Sequence, residues 1–352
     1  MTGAPVTVVA TAGLAGPRRR RQRRQRRVLG LVVLVVLLLA LCAASVMFGT
    51  RTIPLGEVWT ALVRPNGTEL DIIVRSLRVP RTLIGVLAGL ALGAAGALMQ
   101  GHTRNPLADP GLLGVTQGAA FGVVFAVVVL GANGLYGYIW FGFAGAMIAS
   151  VAVFLLGAAG GRGATPVTLA LAGAAVSALL YGLIAAVVLG NDQGMEIYRF
   201  WRVGSIAGRD FAVTGQVLPF LLLGLVLAVV NTPGMNTLAL GEDVATALGQ
   251  RVGRTRALGV VAITLLVGAA VAACGPIAFL GLVVPHLARA VTGPDYRWLV
   301  PFSALLGAAL LLAADVLGRV LTGDSFEVGI LLAILGAPVF IVLVRRKGLA
   351  RI

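Results

Sequence analysis

The chain has 352 residues, of which 59% are hydrophobic and 12% charged, with a formal net charge of +15 and a mean hydropathy of +0.98. This composition excludes a water-soluble globular domain: apolar runs of about 20 residues recur along nearly the whole length, the mark of a polytopic membrane protein with no soluble module of useful size. Two cysteines and two histidines provide neither a disulfide framework nor neighbouring ligands at metal spacing, so no metal site and no catalytic residue is assigned.

The first element is a basic tail, residues 1–27, whose run PRRRRQRRQRR precedes the first apolar stretch. That stretch is too long for a cleaved signal peptide, and Leu41 stands where a lipoprotein anchor on Cys42 needs a small residue. A basic cluster before a first span is explained by attraction to anionic lipid, so nucleic acid is not a partner. Ten spans follow, over residues 28–47, 82–100, 112–131, 138–158, 167–190, 214–231, 257–274, 277–291, 300–321 and 329–345. They are read as helices because backbone groups in hydrocarbon must be satisfied within the segment, and the runs are continuous rather than alternating. Pro276 and Pro285 make the eighth short or broken. With the N terminus inside, 19 of the 28 basic residues fall on the inner side, so the positive-inside rule puts both termini in the cytoplasm. The expected fold is all-α: a basic tail (1–27), a ten-helix membrane domain (28–345) and a second tail (346–352).

The connections carry the remaining signal. Between spans two and three, LMQGHTRNPLADPGLLGV at residues 98–115 interrupts two apolar runs. Pro106 and Pro110 bar helix continuation, while Asn105 and Asp109 can bond freed backbone groups or cap the third helix. On the outer side Arg78 and Arg81 flank Pro80 at the start of span two, and Arg319 lies near the outer end of span nine. These arginines run against the charge rule, and they either snorkel or face an acidic partner. Asp315 and Arg319 are spaced i,i+4 and can pair on one helix face. On the inner side LALGEDVATALGQRVGRTR, residues 238–256, is the longest hydrophilic stretch after the tail. Glu242 and Asp243 follow Gly241 into the first turn of a short helix, and Gly249 can end it. Ala245 and Ala247 are expected to be exposed there, as suits docking into a groove on a partner. No G-x-x-x-x-G-K-[ST] occurs and the one lysine is Lys347, so any ATP-driven motor belongs to another protein.

Seven stretches in order carry a family resemblance: RVPRTL (78–83), GALMQGHTRNPLADPGLLGVTQGA (96–119), RFWRVGS (199–205), LALGEDVATALGQRVGRTR (238–256), GPIAFLGLVVPHLAR (275–289), ADVLGR (314–319) and VGILLAILGAPVF (328–340). Over residues 50–345 the chain resembles the FecCD/BtuC-type permease subunit of type II ABC importers, the group that imports ferric siderophores, haem and vitamin B12. Departures are small: Val79 replaces the more usual Leu or Ile, SFEVGI lacks the proline often found after the glutamate, and the Arg-rich extension lies outside the pattern. YRFWRVGS and LGEDVATALGQRVGRTRALG look closest to ferric enterobactin-type permeases.

The resemblance implies a permease in the cytoplasmic (inner) membrane that forms the pathway for ferric siderophores. A separate ATPase subunit would hold ATP and Mg²⁺, so no cofactor is expected in this chain. The other implied partners are a second permease subunit, as homodimer or heterodimer, an extracytoplasmic siderophore-binding protein and the lipid bilayer. Arg78, Arg81 and Arg319 would receive glutamates from the two lobes of that binding protein. Leu240, Gly241, Glu242, Asp243, Ala245, Leu248 and Gly249 would form the coupling surface for the ATPase. Asn105, Pro106, Asp109 and Pro110 would be a structural element near the inner mouth. The turn GRGATPVT, with Gly163, Ala164, Thr165 and Pro166, would be the inner gate. Alternatives are the same importer class carrying haem or cobalamin, a proton-coupled secondary transporter and, more remotely, a membrane-embedded enzyme. Scarce charge within the spans weighs against proton coupling.

Overall fold

Long apolar runs whose backbone groups must bond within the segment have helices as their solution, and the computed structural model bears this out. It describes residues 17–132, 134–159, 165–322 and 326–345, and among them the chain is all-helical. Helix α1 (Pro17–Met47) carries the basic run straight into the first apolar run, and α2 (Leu55–Val63) is short. Helix α3 (Glu69–Ile72), a π turn (Ile73–Arg78) and α4 (Val79–Thr103) then form one continuous rod. A 3₁₀ turn (Pro110–Leu113) leads into α5 (Val115–Val124), which ends in a second π turn (Phe125–Val129). The remainder are α6 (Gly134–Ala158), α7 (Pro166–Val188), α8 (Asp192–Val203), α9 (Phe211–Leu238), α10 (Glu242–Ala247), α11 (Val252–Cys274), α12 (Leu280–Thr292), α13 (Tyr296–Thr322) and α14 (Val328–Arg345).

Among the described residues seven helices are long and apolar enough to cross a membrane: α1, the rod from Glu69 to Thr103, α6, α7, α9, α11 and α13. Three more are apolar but shorter, namely α5 with its π turn, α12 and α14. The ten apolar runs read from the sequence each fall on one of these helices, and the eighth, α12, is short and starts after Pro276, but it runs unbroken through Pro285. Two differences are informative. The second run begins at Glu69, thirteen residues before its expected start at 82, because Pro80 is absorbed rather than obeyed as a stop. Proline has no N–H to donate, and the π turn before it, closed by the Val79 N–H on the Val74 carbonyl, takes up the mismatch. The sequence also predicts no helix between the fifth and sixth spans, yet α8 lies there, its first turn capped by the Asn191 side chain accepting the Gly194 N–H at 2.7 Å.

Helix α4 is the axis of the bundle, with α13, α11, α12 and α9 packed around it. It and α11 are buried over most of their length, whereas α1 and α7 are exposed along most of theirs. Close approach is set by glycine. A Cβ at Gly93 would lie 2.0 Å from the Ser303 carbonyl oxygen, and one at Gly96 2.0 Å from that of Gly281, so α4 touches α13 and α12 backbone to backbone. Buried amides find partners across these contacts: Gln100 Nε2 donates to the Leu282 carbonyl at 3.0 Å, and Asn231 Nδ2 to that of Thr255 at 3.1 Å.

Candidate functional site

Two clusters stand at opposite ends of the bundle. The first forms where α1 ends and its last carbonyls lack intrahelical donors. Arg78 donates to the carbonyls of Val46 at 2.7 Å, Met47 at 2.8 Å and Arg51. Arg319 donates to those of Ser45 at 3.0 Å and Phe48 at 2.7 Å, and to the Ser45 hydroxyl at 3.0 Å. Cations are favoured at a helix C terminus, so the two arginines hold the end of α1 by charge as well as by hydrogen bonds. Asp315 joins the cluster. Its carboxylate pairs with Arg319 at 2.9 Å, the i,i+4 contact expected on α13, and with Arg81 at 2.8 Å.

Simple snorkelling is therefore corrected: Arg78 is 7% exposed and Arg319 3%, because both reach inward to backbone groups of another helix. All three arginines nevertheless border one cavity of about 480 Å³, to which Arg51, Arg209 and Asp210 also contribute. Sequence reasoning did not single out Arg51 or Arg209. Their signal was present, since both are among the basic residues that fall on the expected outer side. Asp210 accepts the Tyr136 hydroxyl and the Val213 N–H at 3.0 Å, and these bonds hold its carboxyl below the usual carboxylate range. With five arginines around it, the cavity suits carboxylates presented by another surface.

The second cluster centres on α10. Gly241 at φ 114° and Gly249 at φ 78° bracket it, backbone angles that only glycine adopts without strain. Val244 and Leu248, 46% and 65% exposed, are four residues apart and share one side of α10, and Leu240, 63% exposed just before Gly241, adds to this exposed apolar row. Ala247 and Asp243 are also exposed, but Ala245 is fully buried. The expectation of an exposed Ala245 is corrected: it lies on the face of α10 that packs against α9 and α11. Glu242 pairs with Arg256 on α11 and lies 4.0 Å from Arg104, which also donates to the Leu238 carbonyl at 3.1 Å.

Arg104, at φ 48° just past α4, belongs to the interrupting loop. That loop is thus the strut between α4 and α10, a role carried by a residue the sequence reading did not select. Within it Asn105 Oδ1 accepts the Leu107 N–H at 2.9 Å and Asp109 Oδ1 the Gly111 N–H at 2.8 Å. Pro106 and Pro110 keep the segment out of helix register, and Asp109 caps the 3₁₀ turn that begins at Pro110, whereas α5 starts after Gly114 at φ 71°. Of the expected gate, Gly163 and Ala164 lie outside the described residues. Thr165 and Pro166 open α7, where Thr165 and Thr168 form a reciprocal capping box.

The model of the FecCD transport family matches residues 37–346. The chain is 45% identical over 305 residues to the ferric enterobactin transport system permease protein FepD of Escherichia coli (strain K12), covering 87% of this chain and 91% of that one. It is 39% identical over 308 residues to the probable siderophore transport system permease protein YfiZ of Bacillus subtilis (strain 168), covering 87% and 92%. A solved structure described as an inward-facing conformation of a putative metal-chelate type ABC transporter superimposes with a TM-score of 0.79 at 28% identity, covering 91% of this chain and 99% of that one.

Proposed function

This chain belongs to the FecCD transport family, and from that premise we propose that it is the permease subunit of an ATP-binding-cassette importer of ferric siderophores, multi-pass in the cytoplasmic membrane. It is a transport component and not an enzyme. ATP and Mg²⁺ bind a separate nucleotide-binding subunit, and this chain needs no cofactor of its own. The observation that carries the reading is the family match over residues 37–346. The two clusters at the ends of the bundle support it.

In this reading the ten apolar helices are ten spans with both termini in the cytoplasm, and residues 28–345 form one permease domain between two tails. The arginine-bordered cavity faces outward and receives carboxylates of a siderophore-binding protein. Arg81, Arg51 and Arg209 make most of the contact, while Arg78 and Arg319 fix the rim. The row Leu240, Val244 and Leu248 seats in a groove of the ATPase, with Gly241, Asp243 and Gly249 shaping the segment. Glu242 passes the displacement of α10 to α11 through Arg256 and to α4 through Arg104. A second permease, a copy or a sister chain, completes the pathway, and Thr165 and Pro166 at the start of α7 lie at its inner mouth. The proton-coupled alternative loses support because Asp315, buried within α13, is neutralised by two arginines and so is not free to carry protons.

Reconstitution tests the reading. The purified chain in lipid should show no ATP hydrolysis, should hydrolyse ATP when its nucleotide-binding partner is added, and should be stimulated further by the binding protein. Hydrolysis by the isolated chain, free of contaminants, would refute the assignment.

A further inference from the structure

At the end of the bundle that holds the arginine cluster, α1, α2 and α4 enclose a groove of about 530 Å³, within the usual range of ligand pockets. Cys42 and Ala43 border it from the last two turns of α1, and Leu83 and Val86 from α4. The wall on α4 runs from Val79 to Val86, about 10 Å along the helix at 1.5 Å per residue. Helix α2 closes the third side with Leu55, Trp59 and Leu62. These three are spaced i, i+4 and i+7, so they share one face of α2, and all are exposed, Trp59 by 67%. The adjoining side buries Val58 and Ala61 against Ile53 and Val74, while Gly56, Glu57 and Thr60 are exposed opposite. Such a helix, apolar on two sides and polar on the third, suits a membrane boundary, and tryptophan concentrates at that level.

Water is a poor occupant of this groove. The Thr82 hydroxyl in its wall is already bonded, donating to the Arg78 carbonyl at 2.8 Å and accepting from the Ser45 hydroxyl at 2.8 Å. The Cys42 thiol and the Trp59 indole are the other polar groups bordering it, too few for water molecules that each need about two to four polar partners. Hydrocarbon has direct access instead. Ala43 in the wall is exposed, as is most of the apolar length of α1, so the groove is continuous with the helix face that α1 turns to lipid.

We propose that the groove is a binding site for one acyl chain of a glycerophospholipid, which braces α2 and the end of α1 against α4 beside the Arg78–Arg319 cluster. A chain gains no hydrophobic free energy by leaving the bilayer core for an apolar groove, so close contact on three walls is what retains it. The site requires only that the protein sit in a bilayer, whatever its cargo. Because Arg78 and Arg319 hold the last carbonyls of α1, a chain wedged against the same two turns adds to the rigidity of that end.

The test places the full chain in vesicles of phosphatidylethanolamine and phosphatidylglycerol with a trace of phosphatidylglycerol that carries a diazirine on its acyl chain. After irradiation, lipid adducts are mapped by mass spectrometry of the digested chain. Adducts on Leu55, Leu62 and Leu83 should exceed several-fold those on Val36 and Leu39, which are exposed on α1 outside the groove. Ala43→Trp fills the groove from α1 and Val86→Trp from α4; either should remove most of the groove adducts and leave those on Val36 and Leu39 unchanged. Stripping lipid with detergent should lower the thermal unfolding temperature of the parent more than that of Ala43→Trp. Equal labelling inside and outside the groove of the parent would overturn the site, as would groove adducts that persist in a folded variant. Where neither variant accumulates, the labelling ratio of the parent decides. A lipid-soluble bis-maleimide that joins two chains through Cys42, the less buried of the two cysteines, would put a second copy in the groove and also overturn the site. Each of these failures leaves the permease reading intact.

Discussion

Asp315 shows how a few buried charges organise one end of this protein. Its side chain is 1% exposed and is held by Arg81 and by Arg319, and Arg319 in turn holds the end of α1. Removing one partner leaves a buried charge uncompensated, which costs about 3–5 kcal/mol. Asp315→Ala should therefore lower the thermal unfolding temperature of the detergent-solubilised chain sharply. Arg51→Ala, which removes a side chain from the rim of the same cavity, should leave stability within about 0.5 kcal/mol of the parent while weakening association with the binding protein. Equal unfolding temperatures for the parent and Asp315→Ala would show that the cluster is not structural. Little of this was legible beforehand: the i,i+4 spacing revealed the Asp315–Arg319 pair, but Ser45 and Arg81 lie 274 and 234 residues from their partners, beyond the reach of any local pattern.

At the scale of the element, α10 is the place where local reading was half sufficient. Gly241, the acidic first turn and Gly249 predicted the short helix and its bounds, because capping and backbone freedom act within a few residues. Which face looks outward depends on α9 and α11 and so was misjudged at Ala245. The consequence is a revised test of coupling: Leu248→Asp, on the exposed row, should abolish co-purification with the ATPase while leaving the permease folded. Ala245→Arg should instead disturb the fold of the permease itself, since it forces a charged chain into a packed contact. Normal co-purification and uptake by Leu248→Asp would place the coupling surface elsewhere. Helix α8 escaped the sequence reading because its polar, amphipathic composition resembles a solvated connection. On α4, Gly93→Leu should prevent folded protein from accumulating, because Ser303 offers backbone rather than a movable side chain.

For the molecule as a whole, the rods α4 and α11 connect a cavity rich in arginine at one end of the bundle to an exposed apolar row at the other. Helix α4 carries Arg81 near one end and is followed by Arg104 at the other, and α11 carries Arg256, the partner of Glu242. Rigid helices packed backbone to backbone transmit displacement without bending, which suits a part moved by an external motor. The all-helical class and the apolar runs were legible from hydropathy alone, because the bilayer permits few other solutions. The outward and inward assignments rest on arginine distribution and on the family.

The central claim, that this chain is a passive pathway worked by a separate ATPase, is tested most directly by iron-55 ferric enterobactin uptake into proteoliposomes holding the permease, ATPase and binding protein. The account predicts uptake that requires ATP on the ATPase side and persists when an uncoupler collapses the proton gradient. Uptake driven by a proton gradient without ATP, and abolished by the uncoupler, would contradict it.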